Sequence, residues 1–409
     1  MFPPVKTLLR LLACVSCGLI PIIAMADTPT WIGNASNAFA FDLYAKLATA
    51  DNGNLFFSPN SIQTALAMTW AGARGDTSAQ MATVLHLPAG SNTVNKDFGD
   101  FLKLLNAPVN ADGKPRGYLL SVANALWGQS GYAFLPPFLK LLKTDYGAGL
   151  HEVDFKSDSE GARQEINAWV AKETVDKIQN LIGPGALTSK TRLVLTNAIY
   201  FKGTWQDPFE KQSTHDETFH LSATSQIQVP TMYRAGNYGY TENSNYQALQ
   251  LPYAGGDLAM VILLPRAVDG LPQLEKALTP QAMADVLEGI HDQEVHVSIP
   301  KFKMTAEFEL APVLESMGMR DAFGTGADFS GMTGNRDFSI SAVIHKAFVE
   351  VNEQGTEAAA ATGVEMAMAM AMPEQPVDFV ADHPFLFIIR DERSGAILFM
   401  GRLANPNPT

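Results

Sequence analysis

The chain has 409 residues, 46% hydrophobic and 17% charged, with a formal net charge of −13. This is the composition of a globular protein, and the excess of acid argues against nucleic acid or anionic membranes as partners. Both cysteines, Cys14 and Cys17, lie in the first 26 residues, so the remainder has no disulfide or thiolate chemistry available.

Residues 1–26 read as an export signal. Lys6 and Arg10 precede a Leu/Ile/Val-rich run ending in Ala24-Met25-Ala26, the small-x-small pattern of a signal-peptidase site. The run is short for a membrane span. A lipoprotein signal around Cys14 is the competing reading, disfavoured by its early position and by Leu12. Removing 26 of 409 residues leaves 383 from Asp27, without a cysteine. The segment takes two of the 29 basic residues and none of the 42 acidic ones, so the net charge becomes −15. The expectation is an exported protein, extracellular or periplasmic, with one domain over 27–409.

Asn37 to Leu47 places Phe39, Leu43 and Leu47 on one helical face. A second helix is expected from Asn60 to Ala73, ended by Gly72 and Gly75. Arg74-Gly75-Asp76 spells an integrin-type tripeptide but reads better as a helix-end turn, with Asp76 or Thr77 capping the next helix. Asn34-Ala35-Ser36 is a glycosylation sequon. Tyr118 to Trp127 alternates as a strand, and Ser157-Asp158-Ser159-Glu160 is a capping box before a helix. Arg192 to Phe201 is nearly continuously apolar and β-branched, which predicts a strand buried on both faces with Asn197 as a buried amide. Short strands are expected from Glu217 to Pro265, a helix over Pro272–Gly289, and strands over Glu294–Lys303 and Phe338–Asn352. Phe385–Ile389 and Ala396–Leu403 read as a hairpin. Helices crowd the first half and strands the second, an α+β order with no linker dividing it.

No HExxH, GxSxG or GxxxxGK[ST] motif occurs. His291 and His296 suit neither one helical face nor one strand face. His345 falls in line with Val343, Ala347, Val349 and Val351, where a hydrogen-bonded core histidine is expected. No catalytic constellation, metal site or cofactor site emerges.

Several stretches together resemble one family. They are Asn54-Leu55-Phe56-Phe57-Ser58-Pro59 with Ser61, Gly72 to Thr77, Thr196 to Trp205, and His345-Lys346-Ala347. Glu350 to Ala361, His383 to Phe387 and Phe399-Met400-Gly401-Arg402 continue the series in order. The chain resembles the serpins, specifically an exported, inhibitory serpin of bacterial type. The resemblance implies a serpin fold, with three β-sheets, about eight or nine helices and an exposed reactive-centre loop near 354–373. It implies a suicide-substrate inhibitor: loop cleavage, trapping of the acyl-enzyme, and insertion of the loop into the central sheet. The implied partner is a serine protease held as a covalent acyl complex, with cysteine proteases as a second class. The implied state is a monomer whose failure mode is loop–sheet polymers. Glu353, Gly355, Thr356, Glu357, Ala358, Ala359, Ala360, Ala361 and Thr362 match the family's hinge. Ser58, Ser61, Asn197 and His345 match its shutter and Trp205 its breach. The reactive bond is expected at Ala369–Met370, with Met368 as an alternative because the Met-Ala repeat lets the register slide.

The loop's own residues suit insertion. Thr356, Ala358, Ala360, Thr362, Val364, Met366 and Met368 share one strand face, small or apolar throughout, while Glu357 and Glu365 fall on the other. Proline is absent until Pro373. Thr356 to Ala369 is 14 residues, which extends about 46 Å at roughly 3.3 Å each. About a dozen new sheet bonds at roughly 1 kcal/mol each release on the order of 10 kcal/mol. Apolar, unbranched bait suits elastase-, chymotrypsin- or subtilisin-like pockets. Competing readings are an Ala/Met-rich surface helix, a non-inhibitory relative cleaved as a simple substrate, and copper(I) binding by Met366, Met368, Met370 and Met372.

Overall fold

The computed structural model describes residues 30–49, 51–110, 113–356 and 375–407. Helix α1 (Thr30–Leu47), strand β1 (Leu55–Phe57) and helices α2 (Pro59–Trp70), α3 (Gly75–Val84) and α4 (Val94–Asn106) come first. β2 (Tyr118–Gln129) leads through α5 (Pro136–Leu141), β3 (Leu150–Val153) and α6 (Ser159–Glu173) to β4 (Leu193–Thr204). Next are β5 (Thr214–Ser222), β6 (Ser225–Glu242), β7 (Tyr246–Pro252) and β8 (Leu258–Pro265). Helices α7 (Leu271–Ala277) and α8 (Pro280–Glu288) precede β9 (His291–Pro300) and β10 (Phe302–Glu309). Then come α9 (Ala311–Met317), α10 (Ser330–Thr333), β11 (Ala342–Asn352) and the two-residue β12 (Gly355–Thr356). β13 (Val377–Val380), β14 (Phe385–Asp391) and β15 (Ile397–Leu403) close the chain.

Local chemistry explains the starts and stops. α2 is capped by Ser58, whose hydroxyl accepts from the Ser61 N–H, and Pro59 occupies its first turn. α6 is capped by Asp158, one residue after the expected Ser157, through the Gly161 N–H at 2.8 Å. Glu160 instead takes Arg163. The single helix expected over 272–289 is two helices. Leu278 leaves helical backbone before Pro280, and Thr279 re-caps by accepting from the Ala282 N–H. The strand expected over 294–303 likewise divides at Lys301, whose N–H is given to the Pro230 carbonyl at 2.8 Å. The Arg74-Gly75-Asp76 stretch is a helix start, as expected, but has no side-chain cap. Thr77 is buried, and its hydroxyl accepts from the Asp328 N–H.

The strands form two hydrogen-bonded networks, one of six strands in the order β10-β11-β12-β4-β2-β3. The other, nine-stranded, runs β1-β15-β14-β8-β7-β6-β9-β13, with β5 beside β6. The 18-residue β6 pairs β5 and β9, then turns its last four residues to β7. Two of the three expected sheets therefore share one strand and read as a continuous ladder. The architecture is α+β, with ten α-helices among the described residues.

β4 is buried from Leu193 through Phe201, as its apolar run predicts. One face, including Phe201, joins the core between the sheets. The other, including Tyr200, packs with Phe348 and with Ile166 and Val170 of α6.

Candidate functional site

The six-stranded sheet changes character along its length. In its lower part β11 and β4 pair directly and in parallel, Ala342–Phe348 against Val194–Tyr200. At its upper end β12 lies between them, with Thr356 against Val351 and Gly203, and Gly355 against Asn352 and Thr204. The sheet is closed below and already wedged open above by two residues.

The wedge depends on particular side chains. Gly355 has φ +145°, and a Cβ there would lie 2.0 Å from the Gly203 carbonyl oxygen, so only glycine fits. Thr356 is fully buried, with its hydroxyl 2.8 Å from that of Tyr253. Tyr253 stacks on Trp205 with ring centroids 4.6 Å apart, and burial pushes its phenol up. The Trp205 indole donates to the Asn352 carbonyl at 3.1 Å, and its backbone N–H donates to the Gln354 carbonyl. Glu353 is anchored by Lys301 and by the Thr214 hydroxyl, each at 3.0 Å. Burial alone pushes the Glu353 carboxyl up. Hydrogen bonds from its own backbone amide, Lys301 and Thr214, with the Lys301 charge, outweigh that and hold it below the ordinary carboxylate range.

Beneath the wedge sits a polar cluster. The Ser58 N–H donates to His345 Nε2 at 3.2 Å, and the Ser58 hydroxyl donates to the Leu398 carbonyl at 2.6 Å. His345 Nδ1 donates to Asn197 Oδ1. Asn197 Nδ2 donates to the Ser61 hydroxyl at 2.6 Å and to Asn124 Oδ1. Because Nε2 accepts, the ring is neutral with its proton on Nδ1. Burial lowers the His345 pKa to about 3.

Comparisons with known proteins decide the family. A family model described as Serpin (serine protease inhibitor) matches residues 34–406. The chain is a serpin. It is 44% identical to the leukocyte elastase inhibitor of Sus scrofa over 91% of this chain and 98% of that protein. An uncharacterized serpin-like protein of Thermococcus kodakarensis is 43% identical over 91% of this chain and 85% of that protein. Among solved structures, uncleaved ovalbumin superposes with a TM-score of 0.82 at 31% identity, covering 92% of this chain and all of that one.

In this serpin Ser58, Ser61, Asn197 and His345 meet in one cluster, and Trp205, Glu353, Gly355 and Thr356 meet at the wedge. The rest of the hinge, Glu357 to Thr362, and the bait positions Met368, Ala369 and Met370 lie outside the described residues. Sequence reasoning missed Asn124, which sits directly across from Asn197. The available signal was an amide in an otherwise apolar alternating strand. It also missed Tyr253 and Lys301, whose parts depend on long-range contacts with the hinge.

Glu353→Lys sets a second cation against Lys301 and removes the anchor of the loop's root. Hydrogen bonds to charged groups are worth about 1.5–3 kcal/mol. The variant is expected to melt a few degrees lower and to convert to oligomers on mild heating, followed by size-exclusion chromatography. The charge swap Glu353→Lys with Lys301→Glu is expected to restore the monomer.

Proposed function

We propose that this serpin inhibits serine proteases of elastase, chymotrypsin or subtilisin type as a suicide substrate, its cleaved loop inserting between β11 and β4. The observation that carries the proposal is β12, an antiparallel start of the missing strand with Thr356 on the buried face. Continuing its register downward sets Ala358 against Phe201 and Val349, and Ala360 against Ile199 and Ala347. Thr362 then falls opposite Asn197 and His345, and Val364 opposite Leu195 and Val343. All four partner pairs lie on the core face, where the loop offers small or apolar side chains and no charge. On the opposite face Ala359 and Gly363 meet Tyr200, Phe348 and Ile344, which share a buried cluster with Ile166 and Val170 of α6. Insertion gives up the direct pairing of Ala342–Phe348 with Val194–Tyr200 and replaces it by a ladder on each side of the new strand.

Incubation with elastase, chymotrypsin, subtilisin and trypsin tests this, read by denaturing electrophoresis and by the mass of the released C-terminal fragment. The expected result is an SDS-stable complex with one or more of the first three. The fragment is expected to begin at Met370, or at Ala369 or Ala371 if the register slides. Cleavage confined to a basic residue outside the loop, with no complex, defeats the proposal. Loop cleavage without a complex makes the protein a substrate, and a stoichiometry titration measures the balance. Residues 1–26 are proposed as an export signal. Amino-terminal sequencing of the exported protein is expected to begin at Asp27, and retention of Met1 overturns that.

A further inference from the structure

Where the chain passes from α7 to α8, Leu278 leaves helical backbone and Pro280 starts the next helix. A groove of about 690 Å³ lies between the two helices, the first residue of β7 and the end of β8. Small-molecule sites commonly fall between about 300 and 1,000 Å³. Among the described residues none of α1 lines it, and it lies apart from the wedge and the polar cluster. Its floor is apolar: Leu263 and Val286 are buried, and Leu274 and Leu278 half-buried. Ala277 and Ala282 line it from the two helices, and their short side chains leave the space open.

Charge at the rim selects the occupant. One cation, Arg266, lines the groove, and it is already spent. Its Nη2 donates to Glu242 at 2.6 Å and its Nε to the Asn243 carbonyl at 3.2 Å. Two carboxylates line the same rim, Asp269 and Asp285. Asp269 accepts the Ala223 N–H at 3.0 Å and Asp285 the Gln281 amide at 2.7 Å. Neither has an ion-pair partner among the described residues, so both charges stand uncompensated. Tyr246 adds an aromatic ring and a hydroxyl beside them. Burial, and then the Asp285 charge, push its phenol up, so the field of Asp285 reaches into the groove. An anion would meet two carboxylates there, and a neutral apolar body would leave them unanswered. We propose that the groove binds a small organic cation, an ammonium carried on an apolar ring system. The rings lie on the leucine and valine floor, and the ammonium sits between Asp285 and Tyr246. The proposal goes beyond protease inhibition and does not depend on it.

The test is calorimetric titration of the uncleaved full chain with three probes on one ring system. They are desipramine, a tricyclic secondary amine, its neutral N-acetyl derivative, and the propanoic acid of the same tricycle. A ligand of about 20 non-hydrogen atoms at ordinary efficiency binds with a dissociation constant of tens of micromolar, which is the result expected for desipramine. The neutral and acidic probes are expected to bind about tenfold more weakly or not at all. Asp285→Asn is expected to weaken desipramine about tenfold, by an amount that shrinks at high salt, and to leave the neutral probe unchanged. Ala277→Phe fills the groove and is expected to abolish binding of all three. Glu288→Gln, on α8 but outside the groove, is expected to bind as the parent does. Asp285 and Glu288 are exposed, so both variants are expected to keep the parent's melting temperature. Equal binding of the three probes, or desipramine binding that survives Ala277→Phe, overturns the site. So does a dimer in sedimentation that Ala277→Phe dissolves while desipramine fails to bind, since the groove then belongs to a second copy of the chain.

Discussion

Thr362→Arg is expected to turn the protein from inhibitor into substrate. On the proposed insertion, the register begun by β12 would carry residue 362 between Asn197 and His345, both fully buried and already committed to each other and to Ser61 and Ser58. No carboxylate belongs to that cluster, so an arginine arriving there is a buried, unpaired charge, costing several kcal/mol or more. The whole drive for insertion is on the order of 10 kcal/mol, and insertion that stalls at residue 362 leaves the acyl-enzyme time to hydrolyse. Stoichiometry of inhibition is expected to rise at least tenfold while the rate of loop cleavage holds. Melting of the cleaved protein is expected to lose its gain over the native form. Glu365→Arg, on the face that already carries charge, is expected to remain inhibitory. An inhibitory Thr362→Arg protein shows that the register does not continue as β12 begins it.

Acid is expected to destabilise the native protein through His345. Burial lowers its pKa to about 3 from an ordinary 6.5. Above 6.5 both native and unfolded chains carry it neutral, and it contributes no pH dependence. Below 6.5 the unfolded chain takes up a proton that the native one refuses until pH nears 3, so stability falls through that window. The slope approaches 1.36 kcal/mol per pH unit, or about 2 kcal/mol lost by pH 5. His345→Asn removes this term but leaves Ser58 and Asn197 short of partners, at a cost of about 1–3 kcal/mol near neutrality. The parent and variant curves of native-state unfolding against pH are therefore expected to converge, with the parent ahead at pH 7 and its lead largely gone by pH 5. A gap that stays constant from pH 7 to 5 shows that His345 is not held neutral.

Both variants act on one device, the sheet closed below residue 356 by direct pairing of β11 with β4, which on the proposed mechanism opens only when the loop is cut. The polar cluster holds β11 to β4 and to the start of α2 without any charge, so it separates without stranding an ion. The wedge is fixed differently. Gly355 is required by sterics, Thr356 by a buried hydroxyl pair, and Glu353 by a cation at the sheet's upper end.

The sequence by itself determined the local and periodic features. The apolar run 192–201 announced a strand buried on both faces. The alternation of 356–368 separated an apolar face from one with glutamates, and His345 was readable as a core histidine because its period-2 neighbours are all apolar. These follow from the pleat alone, which needs no partner. What only the tertiary structure decided depends on which strands meet and in what register. Asn124 joins the cluster because it lies directly across from Asn197, 73 residues away. Tyr253 meets Thr356 across 103 residues, and Lys301 meets Glu353 across 52. The division of 271–288 at Pro280 and of 291–309 at Lys301 was blurred in sequence because apolar periodicity continues on both sides of each break. The long β6 merged two expected sheets because one strand can serve different neighbours at its two ends. Gly355 and Thr356 proved to be part of the central sheet, reached through a turn at Glu353 and Gln354, and not only the root of a loop. Strand pairing is a property of two segments together, and neither carries it alone.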